Sequence, residues 1–362
     1  MDNLTHSLTG ALLGQMGLKR KTGLAMPTLI IAANIPDIDA VAVLFGGHQH
    51  LAIRRGITHG PIAMLLLPII LWVMMLWFDN WQLRRSKRPE SRLPIHKGWL
   101  LTLAYIGCLS HPALDWLNSY GIRLLEPFSS NWFYGDSIFI IDIWIWAALI
   151  AGVWISLRQE RGGRENWKIP AFISFGAILF YILGNISLSR HAVQETKIAL
   201  RNYVGVHDVA QIVANPVPIF FWKREILFGS PNNYYQFEYS LFDEKKLSEN
   251  AAALYASSKE IIIARHAPAI VKPDKIRLRD KDADAFLFWS RMPHNAMIIE
   301  GGKRYAIFAD ARFTDPMVSE RFRARVQLLP QEENLSAPLA APKDVRLDKP
   351  KDTPEQDKAD GR

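Results

Sequence analysis

Residues 60–78 read GPIAMLLLPIILWVMMLWF, an apolar run without a single charge. A run of 18 or more such residues is long enough to cross a bilayer as a helix. Comparable runs lie on both sides. Gly98–Leu117, Ser137–Leu157 and Ile169–Ser189 follow it, and two weaker ones precede it. Leu4–Leu18 is short and carries Gly10, Ala11 and Gly14, small residues suited to close helix contact. Gly23–Phe45 is interrupted by NIPDID at 34–39, where Pro36 breaks or kinks a helix. The expected fold is therefore an α-helical polytopic membrane bundle of about six helices, the first two short or broken.

The 362-residue chain is not uniform. Residues 1–190 hold the apolar runs, and 191–330 read as an ordinary soluble sequence of β-rich character. IFFWKREILF, YYQFEYSLF, AFLFWSRM, AMIIEGGKRYAIFAD and RFRARVQLL look like strands, with Gly301-Gly302 as a hairpin turn. Residues 331–362 are rich in Pro, Lys, Asp, Glu and Ala and lack the apolar content of a core, so a disordered tail is expected. The one cysteine, Cys108, excludes an intrachain disulfide and a cysteine-held metal.

The formal net charge is +8. The basic residues gather in short loops: KRK at 19–21, RRSKRPESRLPIHK at 84–97 and RQERGGRENWK at 158–168. These are alternate loops, which is a topology signal and not a nucleic-acid footprint. The rule assigns them to the cytoplasm, so the N-terminus, 46–59, 118–136 and everything after 190 fall outside. Arg54 and Arg55 then lie outside against the trend, either as simple exceptions or with a task there.

Five stretches place polar residues in or beside the spans: DNLTHSLTG at 2–10, NIPDID at 34–39, RRGITHG at 54–60, HPALDWLNSYG at 111–121 and GDSIFIID at 135–142. Ionisable groups in a membrane are costly and face cavities or one another. The topology brings His6, Asp37, Asp39, His59, His111, Asp115, Asp136 and Asp142 to one face. Histidine nitrogens with carboxylate oxygens and no cysteine suit Zn²⁺ or another first-row divalent metal in a site with an open position. In the HxxxD pair, His111 and Asp115 share a helix face and Asn118 lies close enough to orient a ligand. His6, Asp37, His59, His111 and Asp115 are the candidate ligands. Asp37 or Asp39 could instead be the base that orients a water, and both also suit a helix cap after Pro36. Arg55, with Arg54, could hold phosphate oxygens. Thr5, Asn34, Thr58, Asn118, Asp136 and Asp142 are further candidates. Taken singly, each motif also fits a packed, hydrogen-bonded residue; their convergence favours a metal site.

In order, MDNLTHSLTG, NIPDID, RGITHG, HPALDWLNSYGIRLLEPFS and GDSIFIID resemble the YdjM-type family of membrane-bound metal-dependent hydrolases of the bacterial inner membrane, over residues 1–190. More distantly, Thr5-His6, the Pro36–Asp39 turn, His59 and His111/Asp115 are similar in kind and order to ligands of the zinc-dependent phospholipase C and zinc nuclease superfamily. The pattern departs from that superfamily after Asp115, where its later ligand pair has no counterpart beyond Asp136 and Asp142. The resemblance implies a multi-pass hydrolase acting on a phosphoester or lipid-linked small molecule at the outer face, with the lipid bilayer as partner and zinc as the metal. Two other classes stay open: a metal- or ion-handling transporter, and a non-enzymatic membrane protein whose outer domain binds a partner.

Overall fold

The structure, a computed structural model, describes residues 1–201, 211–229, 234–242, 259–261, 276–277, 279–313 and 322–329. The tail expected at 331–362 lies outside the described residues. The first half is helical: α1 (Asn3–Gln15), α2 (Ala25–Ala32), a 3₁₀ segment Ile35–Phe45, α3 (Gln49–Ile53), α4 (Pro61–Arg84), α5 (Lys97–Asp115), α6 (Ile143–Arg161) and α7 (Ile169–Ala199).

Local chemistry sets the helix starts. Asp2 accepts from the Leu4 and Thr5 amides, and Asp142 accepts from Trp144 and Ile145, so both are N-caps. Pro61 and Pro170 occupy first-turn positions of α4 and α7, where the missing N–H costs nothing. Helices α4 and α7 are long and apolar enough to cross a membrane, and α2 with the 3₁₀ segment, bent by 47° at Ala33-Asn34, makes a third span if the pair is one unit. At about 1.5 Å per residue, α1 reaches only about 20 Å, short of a bilayer core of about 30 Å. Helices α5 and α6 are less apolar, since α5 carries His111 and Asp115 and α6 ends in Arg-Gln-Glu-Arg. The exposed side chains of α4 and α7, among them Leu65, Ile70, Trp77, Phe172, Phe180 and Leu183, form an apolar outer surface suited to lipid.

Helices α1, α2 and α5 approach one another closely. The Leu29 carbonyl of α2 lies between two glycines: a Cβ on Gly10 of α1 would come within 2.7 Å of it, and one on Gly107 of α5 within 2.8 Å. Only glycine permits this three-helix approach. His6 stands one turn before Gly10, and His111 one turn after Gly107, so the close packing of backbones brings the two rings together.

The second half holds two antiparallel sheets, β1 (Gln211–Pro216), β2 (Lys223–Gly229), β3 (Tyr234–Ser240), β4 (Lys259–Ile261) and β5 (Pro293–Glu300), β6 (Lys303–Asp310), β7 (Arg323–Gln327), each in sequential order. Gly301 and Gly302 turn the β5–β6 hairpin with φ of 56° and 74°, and Glu300 pairs with Lys303. AFLFWSRM is not a strand. Its first five residues belong to α8 (Lys281–Trp289), which starts because Asp280 accepts from the Asp282 and Ala283 amides. Ala283, Phe286 and Trp289 recur at helical spacing and form a core with Phe308 and Val326. IFFW at 219–222 also precedes its strand, which begins only at Lys223.

Candidate metal centre

Four chain segments supply the cluster. His6 comes from α1, Asp37 and Asp39 from the 3₁₀ segment, His59 from the single turn Ile57–His59 before α4, and His111 and Asp115 from the end of α5. All six side chains are buried. One ligand atom from each of Asp37, His59, His111 and Asp115 falls within 4.8 Å of every other. His6 joins them, its Nε2 3.3 Å from Asp115 Oδ1 and its ring stacked on His111 at 3.8 Å. His111 Nε2 is 3.6 Å from Asp115 Oδ2 and 3.8 Å from Asp37 Oδ1, and His59 Nε2 is 3.7 Å from Asp115 Oδ2.

The outward nitrogens of two histidines are already engaged. His111 Nδ1 is 2.7 Å from the Ala33 carbonyl, which must accept, so Nδ1 carries the proton and Nε2 presents a lone pair. The Thr58 hydroxyl donates to Asp39 Oδ2 at 2.7 Å, which leaves its oxygen to accept from His59 Nδ1 at 2.9 Å. His59 Nε2 is therefore also a lone pair. Asp39 thus acts through Thr58 to orient His59, the arrangement common behind metal-bound imidazoles. The atoms left buried without a hydrogen bond include the converging ones, His6 Nε2, His59 Nε2, His111 Nε2, Asp37 Oδ2 and Asp115 Oδ2, the last of which is ion-paired with Arg55; His6 Nδ1 and Asp39 Oδ1 are also among them. Buried polar atoms are nearly always satisfied. A divalent cation satisfies lone pairs of this kind together, and the donor set fits one. On a shared ion these atoms would sit roughly 3–4 Å apart, close to the spacing observed.

Arg55 is held beside the cluster. Its Nε lies 2.8 Å from Asp115 Oδ2, Nη2 donates to Asp115 Oδ1 at 3.1 Å, and Nη1 donates to Asn118 Oδ1 at 2.9 Å. The Met1 nitrogen also contacts Asp115 Oδ1. Arg55 has φ of 54°, an uncommon conformation for a residue other than glycine, fixed by its amide on Asp39 and its carbonyl accepting from Arg123. Burial draws its pKa down to about 10, so it stays charged at neutral pH. Arg54 is different. It is partly exposed, and its Nη2 donates to Asp37 Oδ1 at 3.3 Å, at the rim of the cluster.

Other candidates are placed elsewhere. Asp142 caps α6 and accepts from Tyr181, and Asp136 pairs with Arg291 of the second half at 2.8 Å. Thr5 serves the α1 cap and accepts from Trp146. Asn34 donates to Ser7 and to the Ile30 carbonyl. Tyr120, which no motif singles out, stacks under Arg55 with 4.6 Å from guanidinium to ring centre. Burial raises its phenol pKa, which keeps it neutral. Its signal was available in the aromatic that follows Asn118 by two residues.

The family described as YdjM inner membrane protein matches residues 1–192. No curated protein and no solved structure matches the chain.

Proposed function

We propose a function from one premise: this chain belongs to the YdjM inner membrane protein family. We read it as a metal-dependent hydrolase of a phosphoester or other lipid-linked substrate, embedded by about six helices in the bacterial inner membrane. In this reading the cluster and the C-terminal sheets face outward. The observation that supports it is the convergence of five buried ligand atoms without hydrogen bonds, two of them Nε2 atoms of His59 and His111, whose other nitrogen is already engaged.

A bound divalent ion, most simply Zn²⁺, would lower the pKa of a water and polarise a phosphoryl or carbonyl oxygen. His6, Asp37, His59, His111 and Asp115 would hold it. Asp39 and Thr58 fix the His59 ring. Arg55 neutralises part of the carboxylate charge and holds Asp115 and Asn118 in place. Arg54, with its head partly in solvent, is the group suited to an anionic substrate. The surroundings suit a lipid: exposed Ile38 lies between Asp37 and Asp39, and exposed Ile57 two residues before His59. Apolar chains can therefore rest against the rim while a polar head reaches the cluster.

A metal-handling transporter is the second reading, favoured by the 47° break between α2 and the 3₁₀ segment, since broken spans often hold ions. Metal content of detergent-purified protein, wild type against His111→Ala, tests the metal. Near-stoichiometric metal in the wild type and its loss in a folded variant is expected; no metal in the wild type would overturn both readings. Chelator-sensitive hydrolysis of a phosphoester lipid separates the hydrolase from the transporter.

A further inference from the structure

We propose that the tip between β1 and β2, residues 217–222, is a membrane anchor that inserts its aromatic side chains into the lipid leaflet beside α6 and α7. The sequence there is VPIFFW. Ile219 is 54 % exposed and Phe220 44 %, and Phe242 on the adjoining turn is 70 % exposed. Ile219 has φ of 70°, a conformation a β-branched residue adopts only when its surroundings impose it. Trp144 at the start of α6 imposes it, donating its Nε1 to the Ile219 carbonyl at 2.8 Å. Phe221 packs edge-on against both Trp144 and Tyr181 of α7.

The position along α7 decides what surrounds this tip. Arg158, Arg161, Arg164 and Lys168 precede Ile169, so the apolar span begins near Ile169. At about 1.5 Å per residue, Tyr181 stands roughly 18 Å and Asn185 roughly 24 Å along the helix, inside a hydrocarbon layer of about 30 Å. Tilting the helix lowers both further. Arg224 fixes the tip at this level: it donates to Asn185 Oδ1 at 2.7 Å and to Ser189 Oγ at 2.8 Å, and is itself buried. The exposed aromatics therefore continue the lipid-facing surface of Ile143, Trp144, Phe180 and Leu183.

The test is a spin label on full-length protein in a Cys108→Ala background, reconstituted in phosphatidylethanolamine–phosphatidylglycerol vesicles. Labels at Ile219→Cys, at lipid-facing Phe180→Cys and at exposed Glu300→Cys are compared by collision with oxygen and with a water-soluble nickel complex. The oxygen-to-nickel ratio at 219 should match that at 180 and exceed that at 300. A ratio at 219 equal to that at 300, with 180 in lipid, overturns the proposal. Should the 219 variant fail to fold, Phe242→Cys is read by the same criterion with the same two outcomes.

Discussion

Two adjacent arginines, Arg54 and Arg55, have opposite surroundings and should respond differently to removal. Arg55 is 4 % exposed and bridges Asp115, Asn118 and the Gly121 carbonyl. Arg55→Ala leaves the Asp115 charge and the Asn118 amide without that partner. Removing one member of a buried pair costs about 3–5 kcal/mol, so Tm in detergent with chelator present should fall clearly. Arg54 touches Asp37 from a partly solvated position, where a pair contributes about 1 kcal/mol or less. Arg54→Ala should leave Tm nearly unchanged. Under the proposed activity it should weaken turnover of a phosphate-bearing lipid about tenfold, the loss of one charge-assisted hydrogen bond, and spare a neutral ester. An unchanged Tm for Arg55→Ala would show that Asp115 does not depend on the guanidinium, and equal loss on both esters would remove Arg54 from phosphate binding.

At the scale of elements, the sequence carried the parts with strong periodicity or punctuation. The run at 60–78 is α4, the break expected at NIPDID is a 47° bend at Ala33-Asn34, just ahead of Pro36, and Gly301-Gly302 is a hairpin turn. The misreadings have identifiable causes. AFLFWSRM is aromatic enough for a strand, but Asp280 lies five residues upstream of it and starts a helix that the composition alone does not reveal. Asp136 and Asp142 share the cluster's height in the topology but not its direction, which Lys/Arg bias does not specify: Asp142 caps α6 and Asp136 faces Arg291. The ring orientations of His59 and His111 were not legible, because they depend on Thr58 and on a backbone carbonyl 78 residues away. His294 on β5, part of no motif, is half-buried, and burial lowers its pKa from 6.5 to about 4. Between pH 6.5 and 4 the unfolded chain then binds more protons than the folded one at this residue, so stability falls as pH falls through that window. Asp310, held well below the usual carboxylate range chiefly by Arg312 against the cost of its burial, contributes fully above pH 3.8 and does not change in the same window. His294→Gln should therefore lose less Tm than the wild type between pH 7.5 and 5. Equal losses would show that His294 does not carry this pH dependence.

On the scale of the whole molecule, the chain has two chemically distinct ends. Lys19 and Arg20 pair with Glu160, the Gly23 amide donates to the Pro94 carbonyl, and the His96 amide donates to Thr22, so the three basic loops meet. The buried His/Asp cluster lies at the far ends of α1 and α5, and the second half closes against that end. Arg312 donates to the Ser119 carbonyl at 2.5 Å, Trp132 donates to the Phe288 carbonyl at 3.1 Å, and Trp289 packs on Tyr120 at 5.2 Å. The sheets thus brace the loop that carries Asn118 and Tyr120, which in turn hold Arg55. If the basic end faces the cytoplasm, as the Lys/Arg bias directs, then the cluster and the sheets face the other side of the membrane. Ser86 in the basic loop and Glu300 at the β5–β6 turn are both exposed and report the two ends. With Cys108 buried, a membrane-impermeant maleimide on intact spheroplasts should label Glu300→Cys at once and Ser86→Cys only after permeabilisation. Reversed labelling would place the cluster in the cytoplasm and remove an outer-leaflet substrate. Labelling of both positions in intact spheroplasts would mean that the basic loops and the sheets share one side, and the assignment of ends would fail with it.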